Sequence, residues 1–305
     1  MSDRVGVLGA TGSVGQAVVQ TLEDRGYDVY PAAGSAHEEY PAVDIRNRGA
    51  IQPFLEHVDS LVNAAGLVGI DACRSRPDAA FEINAAGASN VAWACVRADV
   101  PLVHLSSVAT IGDPDEFPIT ATTSRNPTTT YGRTKLAGER AVRTLTDGRV
   151  PSVTFCVTNV YGDGESVVDY FLERAAAGED LPVHRPGTQE RDLIHVHDVA
   201  SGIATAVDRL AEADSIARSY VLGRGVSYSV LEIAGLVAHA HNASTGSPGG
   251  IELRERPNPN SPVVDRFDVD LERVRSALGV EPARDLEEWI EVKLERRLEC
   301  RNRVR

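Results

Sequence analysis

The chain has 305 residues, is 42% hydrophobic and carries a formal net charge of −13. That is enough apolar material for a large core, while a surface this acidic repels nucleic acid and anionic lipid, so neither is expected as a partner. The four cysteines (Cys73, Cys95, Cys156, Cys300) form no CxxC pair, which argues against both a disulfide framework and a metal centre. No charged-then-apolar leader opens the sequence and no stretch approaches the ~18 uncharged apolar residues of a membrane span, so a cytoplasmic location is expected.

Arg4–Leu8 is a short apolar run ending at Gly9 and reads as a buried first strand. Ser13–Asp24 has helical spacing, Asp28–Ala33 reads as a second strand, and Ile51–His57 as part of a helix. Ser60–Val62 is expected as a strand, Asp78–Ala98 as one long amphipathic helix, and Val100–Leu105 as a strand with its neighbourhood reaching Ser107. A Pro- and Thr-rich loop covers Asp113 to Thr129. Thr130–Leu145 then reads as a helix and Pro151–Val157 as a strand. Strands alternating with helices imply an α/β fold, a doubly wound parallel sheet of Rossmann type. From Asp163 onward the elements become shorter and richer in Gly and Pro. The expected division is a dinucleotide-binding domain at 1–162 and a smaller mixed substrate lobe at 163–305, with roughly 192–222 returning to the sheet.

Gly9-Ala10-Thr11-Gly12-Ser13-Val14-Gly15 joins the first strand to the first helix. In that context the three glycines suit a tight turn, close approach to a pyrophosphate, and close helix–strand packing. The helix N-terminus adds unpaired N–H groups and a positive dipole end. An acidic residue about 20 residues on would read the ribose of NAD. Ala33-Gly34-Ser35 stands there instead, with Ser35 and His37 as modest donors, so the cofactor is expected to be NADP or NAD, with a lean to NADP.

Tyr131 and Lys135 lie four residues apart on a predicted helix and so share one face. A neighbouring ammonium favours the phenolate, which would pull Tyr131 towards neutrality and make it an acid/base group. Ser107, upstream, could polarise the reacting carbonyl or hydroxyl. A chance YxxxK on a surface helix is the competing reading. It is weakened by the glycine loop and by the lysine count: Lys135 and Lys293 are the two lysines among 31 basic residues.

With these residues in view, the chain resembles the extended short-chain dehydrogenase/reductase family, the group of NAD-dependent sugar epimerases and dehydratases. GATGSVG, NAAG at Asn63–Gly66, EINAAG around Asn84, LSSVATIG at Leu105–Gly112 and YGRTK carry the likeness in the first half. TNVYGDGE at Thr158–Glu165, QERDLIHVHDVA at Gln189–Ala200 and VDRFDVDLERVRSALGVEP carry it in the second. The resemblance implies Ser107, Tyr131 and Lys135 as catalytic residues. It implies a cofactor set of Gly9, Thr11, Gly12, Ser13, Val14, Gly15, Ser35, Asp44, Ile45, Ala64, Ala65 and Asn84, joined by Tyr131 and Lys135. It further implies that Asn159, Arg191 and Arg256, with Ser107, contact the substrate, the first three through the phosphates of a nucleotide-linked sugar. A diphosphate suits arginine's planar fork. For Arg191, a surface salt bridge to Asp192 or Asp198 is the alternative. His195 and His197 could suggest a metal pair, but the resemblance places them at a strand-to-helix junction and no metal is expected.

Three departures narrow the reaction. Cys156 stands where many members have an arginine three residues before the NVYG asparagine, and Ile111 replaces a tyrosine. Val108-Ala109 follows Ser107 where dehydratases have an Asp-Glu pair, which discounts dehydration and carboxyl-assisted decarboxylation. A 4-ketoreductase, with Tyr131 as proton donor, and a 4-epimerase with bound NAD both remain. The likeness of RDLIHVHDVA and SYVLGRGVSYSVLEIAGL to deoxysugar 4-ketoreductases favours the first. A non-catalytic nicotinamide-binding subunit is the third reading, opposed by the intact Ser107, Tyr131 and Lys135. By the same resemblance a homodimer is expected, built from the helices at 78–98 and 130–145.

Overall fold

The computed structural model describes residues 3–162, 164, 166–210, 217–256 and 266–304. Residue 163, where the substrate lobe was expected to begin, lies outside them. Past its first residue β1 (Arg4–Leu8) is wholly buried, as a central strand must be. It leads into α1 (Ser13–Asp24). β2 (Asp28–Ala32) is an edge strand, the position in which Pro31, lacking an N–H, is tolerated. α2 (Arg48–Leu55) begins earlier than its apolar spacing suggests, because the Asn47 side chain caps it at the Gly49 N–H. β3 (Ser60–Asn63) and a short α3 (Ile70–Ser75), not anticipated from sequence, follow.

The long helix expected over Asp78–Ala98 is interrupted. It consists of α4 (Pro77–Phe81), a π-helical segment Glu82–Gly87, and α5 (Ala88–Ala98). Period-3.6 patterning cannot report an inserted residue, so the interruption is invisible to it. β4 (Leu102–Ser107) ends in a 3-10 turn at Val108–Thr110. α6 (Thr130–Thr146), capped by Thr129, and β5 (Ser152–Val157) complete the first half.

The second half runs β6 (Asn159–Tyr161), α7 (Val167–Ala177), β7 (Leu181–His184), β8 (Glu190–His195), α8 (Val196–Leu210), β9 (Ala217–Leu222), β10 (Ser227–Ser229), α9 (Val230–Thr245), β11 (Ile251–Arg254), α10 (Glu272–Leu278) and α11 (Leu286–Val304). Among the described residues a six-stranded sheet has the order β2-β1-β3-β4-β5-β9, and every pairing in it is parallel. β9 thus comes back from the second half to pair with β5. β10-β8-β6 and β11-β7 form two small sheets outside it.

One face of the large sheet packs α1 and α8 through Val18, Leu22, Val199, Ile203 and Val207. Burying each such side chain is worth about 1.5–3 kcal/mol. The half-exposed Arg25–Asp208 pair joining the same helices contributes about 0–1 kcal/mol, so apolar packing decides their docking. The other face holds α2, α5 and α6 through Ile51, Phe54, Val91, Cys95 and Val142. A third core, built on Phe171, Leu172, Ile233, Val237 and Ile290, sits among α7, α9 and α11.

The loop between β4 and α6 is fastened at two points. Gly112 bridges Asn126, and the backbone of the fully buried Ile119 donates to the Asp268 carbonyl at 2.7 Å and accepts from the Asp270 N–H at 2.8 Å. The second fastening ties this loop to the segment that precedes α10.

Candidate active site

In the order β2-β1-β3 the chain reverses direction across β1, and the crevice at the carboxyl ends of β1 and β3 is where open parallel sheets take their ligands. Gly9 has φ +80°, and a Cβ there would stand 2.6 Å from the Ala65 backbone nitrogen. A Cβ at Gly15 would overlap the Gly9 carbonyl. The loop is therefore folded against Ala64 and Ala65 so closely that side chains at these positions are excluded. Thr11, Gly12 and Ser13 stay exposed along the crevice, with Val14 half-buried. Gly12 begins α1 without any side-chain cap, which leaves first-turn N–H groups free to bind an anion. The cradle suits the pyrophosphate of a nicotinamide dinucleotide.

At the other end of that crevice, the Val43 N–H bonds the Ala33 carbonyl at 2.7 Å and brings Asp44 and Ile45 beside the end of β2. Ile45 is buried; Ser35 is exposed. The Asp44 carboxylate is not bare: Arg46 donates to it through Nε at 3.0 Å and Nη2 at 2.7 Å, which holds it below the usual carboxylate range. The cofactor contact expected at Asp44 therefore falls to a carboxylate that already has a partner, Arg46, one the sequence reading missed.

Asn84 lies buried in the π-helical segment. Its Oδ1 accepts from the Leu67 N–H at 2.8 Å and its Nδ2 donates to the Leu67 carbonyl at 2.9 Å, clamping the loop after β3. Its Nδ2 also reaches Thr134 Oγ1 on α6 at 3.2 Å, so one side chain links the cofactor crevice to the helix of the YxxxK motif.

Ser107 ends β4 and Tyr131 lies in the first turn of α6, near enough that the Ser107 hydroxyl favours the Tyr131 phenolate. Lys135, one turn on, is buried and donates through Nζ to the Leu105 carbonyl at 2.5 Å. The structure thus brings the three together. It corrects the expected electrostatics, however. Burial pushes the Tyr131 phenol up, and the influence that opposes it is the Ser107 hydrogen bond. The ammonium of Lys135 is turned to the β4 backbone, and burial pulls it down to about 8 against the attraction of Cys156, Glu139 and Cys73. His104, buried on β4 and bonded to Asn63 at 3.2 Å, is held neutral by burial and by Lys135.

Behind Ser107 lies a polar cluster that sequence reading did not find. Arg125, from the β4–α6 loop, is 3.4 Å from Glu139 on α6, and the two side chains are 12% and 13% exposed. Arg125 also donates to Thr110 Oγ1 at 2.8 Å and to Cys156 Sγ at 3.2 Å. Ser106 Oγ donates to Glu139 at 2.8 Å. Glu139 was legible in principle, one turn past Lys135 on the same helix face; nothing in the spacing points to Arg125.

Asn159, on β6, donates to the Asp192 backbone carbonyl at 3.1 Å, and Arg191, on β8, donates to the Glu190 carbonyl at 2.6 Å. β6 and β8 are neighbours, so these two expected substrate residues are on adjacent strands. The two carboxylates have partners of their own: Asp192 accepts from the Thr158 hydroxyl and from the backbone N–H groups of Arg224 and Gly225, and Asp198 pairs with the Arg284 guanidinium at 2.6 Å. Arg256 stands two residues past β11, next to residues 257–265, which lie outside those described. His195 packs in an aromatic group with Tyr161, His197 and Trp289.

Residues 5–223 match the model of the NAD dependent epimerase/dehydratase family. The chain belongs to that family. It is 31% identical over 181 residues to the dTDP-4-dehydrorhamnose reductase of Mycolicibacterium smegmatis, covering 59% of this chain and 53% of that protein, so the chain spans about half the length of this relative. It is 29% identical over 282 residues to the UDP-glucose 4-epimerase of Dictyostelium discoideum, covering 79% and 82% of the two chains. The fold matches the crystal structure of a UDP-glucose-4-epimerase from Stenotrophomonas maltophila with bound NAD and formylated UDP-arabinopyranose, with a TM-score of 0.83 at 23% identity over 99% of this chain and all of that one. Among the described residues no helix is long and apolar enough to cross a membrane.

Proposed function

We propose that the protein is an NAD(P)-dependent oxidoreductase that reduces the 4-keto group of a nucleotide-diphosphate sugar. The observation that carries this reading is Ser107 at the end of β4, beside Tyr131 in the first turn of α6, with Lys135 fixed to the Leu105 carbonyl one turn on and facing the loop after β3 that packs against Gly9. A bound reduced nicotinamide would supply hydride to the carbonyl carbon. Tyr131, kept protonated by burial, gives its proton to the developing alkoxide. Ser107 donates a hydrogen bond to the same oxygen and orients it. Lys135, fixed by the Leu105 carbonyl, is assigned to hold the nicotinamide ribose. Asn84 holds the loop that carries the cofactor site, and Thr11 to Val14 take the pyrophosphate.

Asn159, Arg191 and Arg256 are assigned to the diphosphate of the sugar. Each charge-assisted contact is worth roughly 1.5–3 kcal/mol. Arg191→Ala should therefore raise KM for a UDP- or dTDP-linked keto-sugar about 10-fold or more, with cofactor affinity unchanged. UDP or dTDP should compete with the sugar. If neither nucleotide binds and Arg191→Ala is silent, the substrate is not a nucleotide sugar.

NADP is favoured over NAD because no carboxylate ends β2 and Asp44 is occupied by Arg46; fluorescence titration with NADPH and NADH tests this. The second reading, a 4-epimerase with retained NAD, is supported by the likeness to the Dictyostelium enzyme over most of the chain. Tightly bound NAD in the purified protein would decide for it. A cytoplasmic homodimer completes the proposal.

A further inference from the structure

Cys156 is buried on β5 beside a guanidinium that comes from elsewhere in the chain. Arg125 arrives from the β4–α6 loop and places Nη2 3.2 Å from Cys156 Sγ and 3.4 Å from Glu139. The Cys156 thiol, pushed up to about 11 chiefly by burial, stays protonated at neutral pH, and Sγ lies 3.5 Å from Glu139 Oε2 as its donor. From this cluster two routes reach the catalytic strand. Arg125 Nη1 donates to Thr110 Oγ1, whose hydroxyl donates to the Ser107 carbonyl at 2.8 Å. Glu139 accepts from Ser106, the neighbour of Ser107, and lies one turn from Lys135.

We propose that Arg125 is a positioning residue for the reaction: supplied from the loop and held against Cys156, it locks Thr110 and Glu139 and through them sets Ser107 against Tyr131. A nearly buried carboxylate needs its counter-ion, and a hydroxyl that must point at Tyr131 needs its backbone held. Arg125 does both. The inference rests on the Ser107, Tyr131 and Lys135 reading.

The test is spectroscopic and needs no substrate. The groups that act on the Tyr131 hydroxyl are Ser107 from the end of β4 and Cys73 from α3, while Lys135 on its own helix is turned to the Leu105 carbonyl. Of these, Ser107 favours the phenolate. Displacing Ser107 must therefore make the phenolate appear at higher pH. The Tyr131 phenolate is titrated by ultraviolet difference between each full-length protein and its Tyr131→Phe counterpart, all with the same nicotinamide present. Arg125→Met should shift the titration upward, and Arg125→Met with Cys156→Arg should shift it back. Thr110→Val, which alters no charge and keeps the ion pair, decides the matter if Arg125→Met does not fold. It should give the upward shift and about 10-fold lower turnover with cofactor affinity unchanged. If Thr110→Val leaves the Tyr131 titration where it is in the wild type, or a folded Arg125→Met does so while only melting earlier, Arg125 is structural and the proposal fails. If Tyr131→Phe itself retains full turnover, the catalytic reading fails whatever Arg125 does.

Discussion

At the scale of single residues, two side chains carry the sharpest consequences. Tyr131→Phe removes the hydroxyl proposed as proton donor without removing volume, and should lower turnover by at least ~10²-fold while leaving cofactor affinity and folding intact. Steady-state kinetics beside a NADPH titration checks both halves. Lys135 is buried with its value lowered from 10.5 to about 8. Between those two pH values the unfolded chain holds the proton and the folded chain has released it, so stability rises with pH across that window. Below about 8 the full cost of the buried ammonium is present. Lys135→Met should therefore melt higher than the wild type at neutral pH, with the difference closing as the pH approaches the ordinary lysine value. Equal differences in melting temperature at both ends would sink that assignment. Turnover of the wild type should fall as pH rises through about 8. What could be read here from sequence was the identity of the residues: YxxxK spacing and the scarcity of lysine pick out Tyr131 and Lys135. Their ionisation could not be read, because burial and a Ser107 partner are products of packing, and these overruled the expected pull of lysine on tyrosine.

Among the elements, the glycine loop and the parallel strands were legible because each obeys a local rule: a short apolar run, a turn, then helical periodicity. The break at Glu82–Gly87 was not, since the same apolar spacing continues through it. That break is where Asn84 turns out of the helix to bind both polar groups of the Leu67 backbone. Asn84→Ala should leave those two buried groups without their partner. The expected cost is about 1–3 kcal/mol, with weaker NAD(P) binding because the loop after β3 is released. Denaturant unfolding and cofactor titration together would reveal it, and a variant with unchanged cofactor affinity would show that the clamp is only structural. Gly15→Val is expected to be harsher, since its side chain must displace the Gly9 carbonyl. It should lose cofactor binding before it loses the sheet, visible as retained far-ultraviolet dichroism with no NADPH fluorescence enhancement.

Taken whole, the molecule is less divisible than its sequence rhythm suggests. The chain leaves the large sheet after β5, builds β6 to β8, and re-enters with β9. The dimer expected through the helical layer of α5 and α6 would leave the crevice open. It predicts a dimeric mass by sedimentation at micromolar concentration, and a monomer there would remove it. The clasp at Ile119 adds a constraint of another kind. A loop from the catalytic strand and a segment just ahead of α10 exchange backbone hydrogen bonds around a side chain with no solvent exposure. Grafting a relative's C-terminal half onto this chain would cut through that clasp wherever the crossover falls between the two. Grafts that carry the 113–129 loop together with the segment around Val269 should express as folded protein, while those that mix parents across it should not, which makes this pair of segments a single heritable unit for recombination.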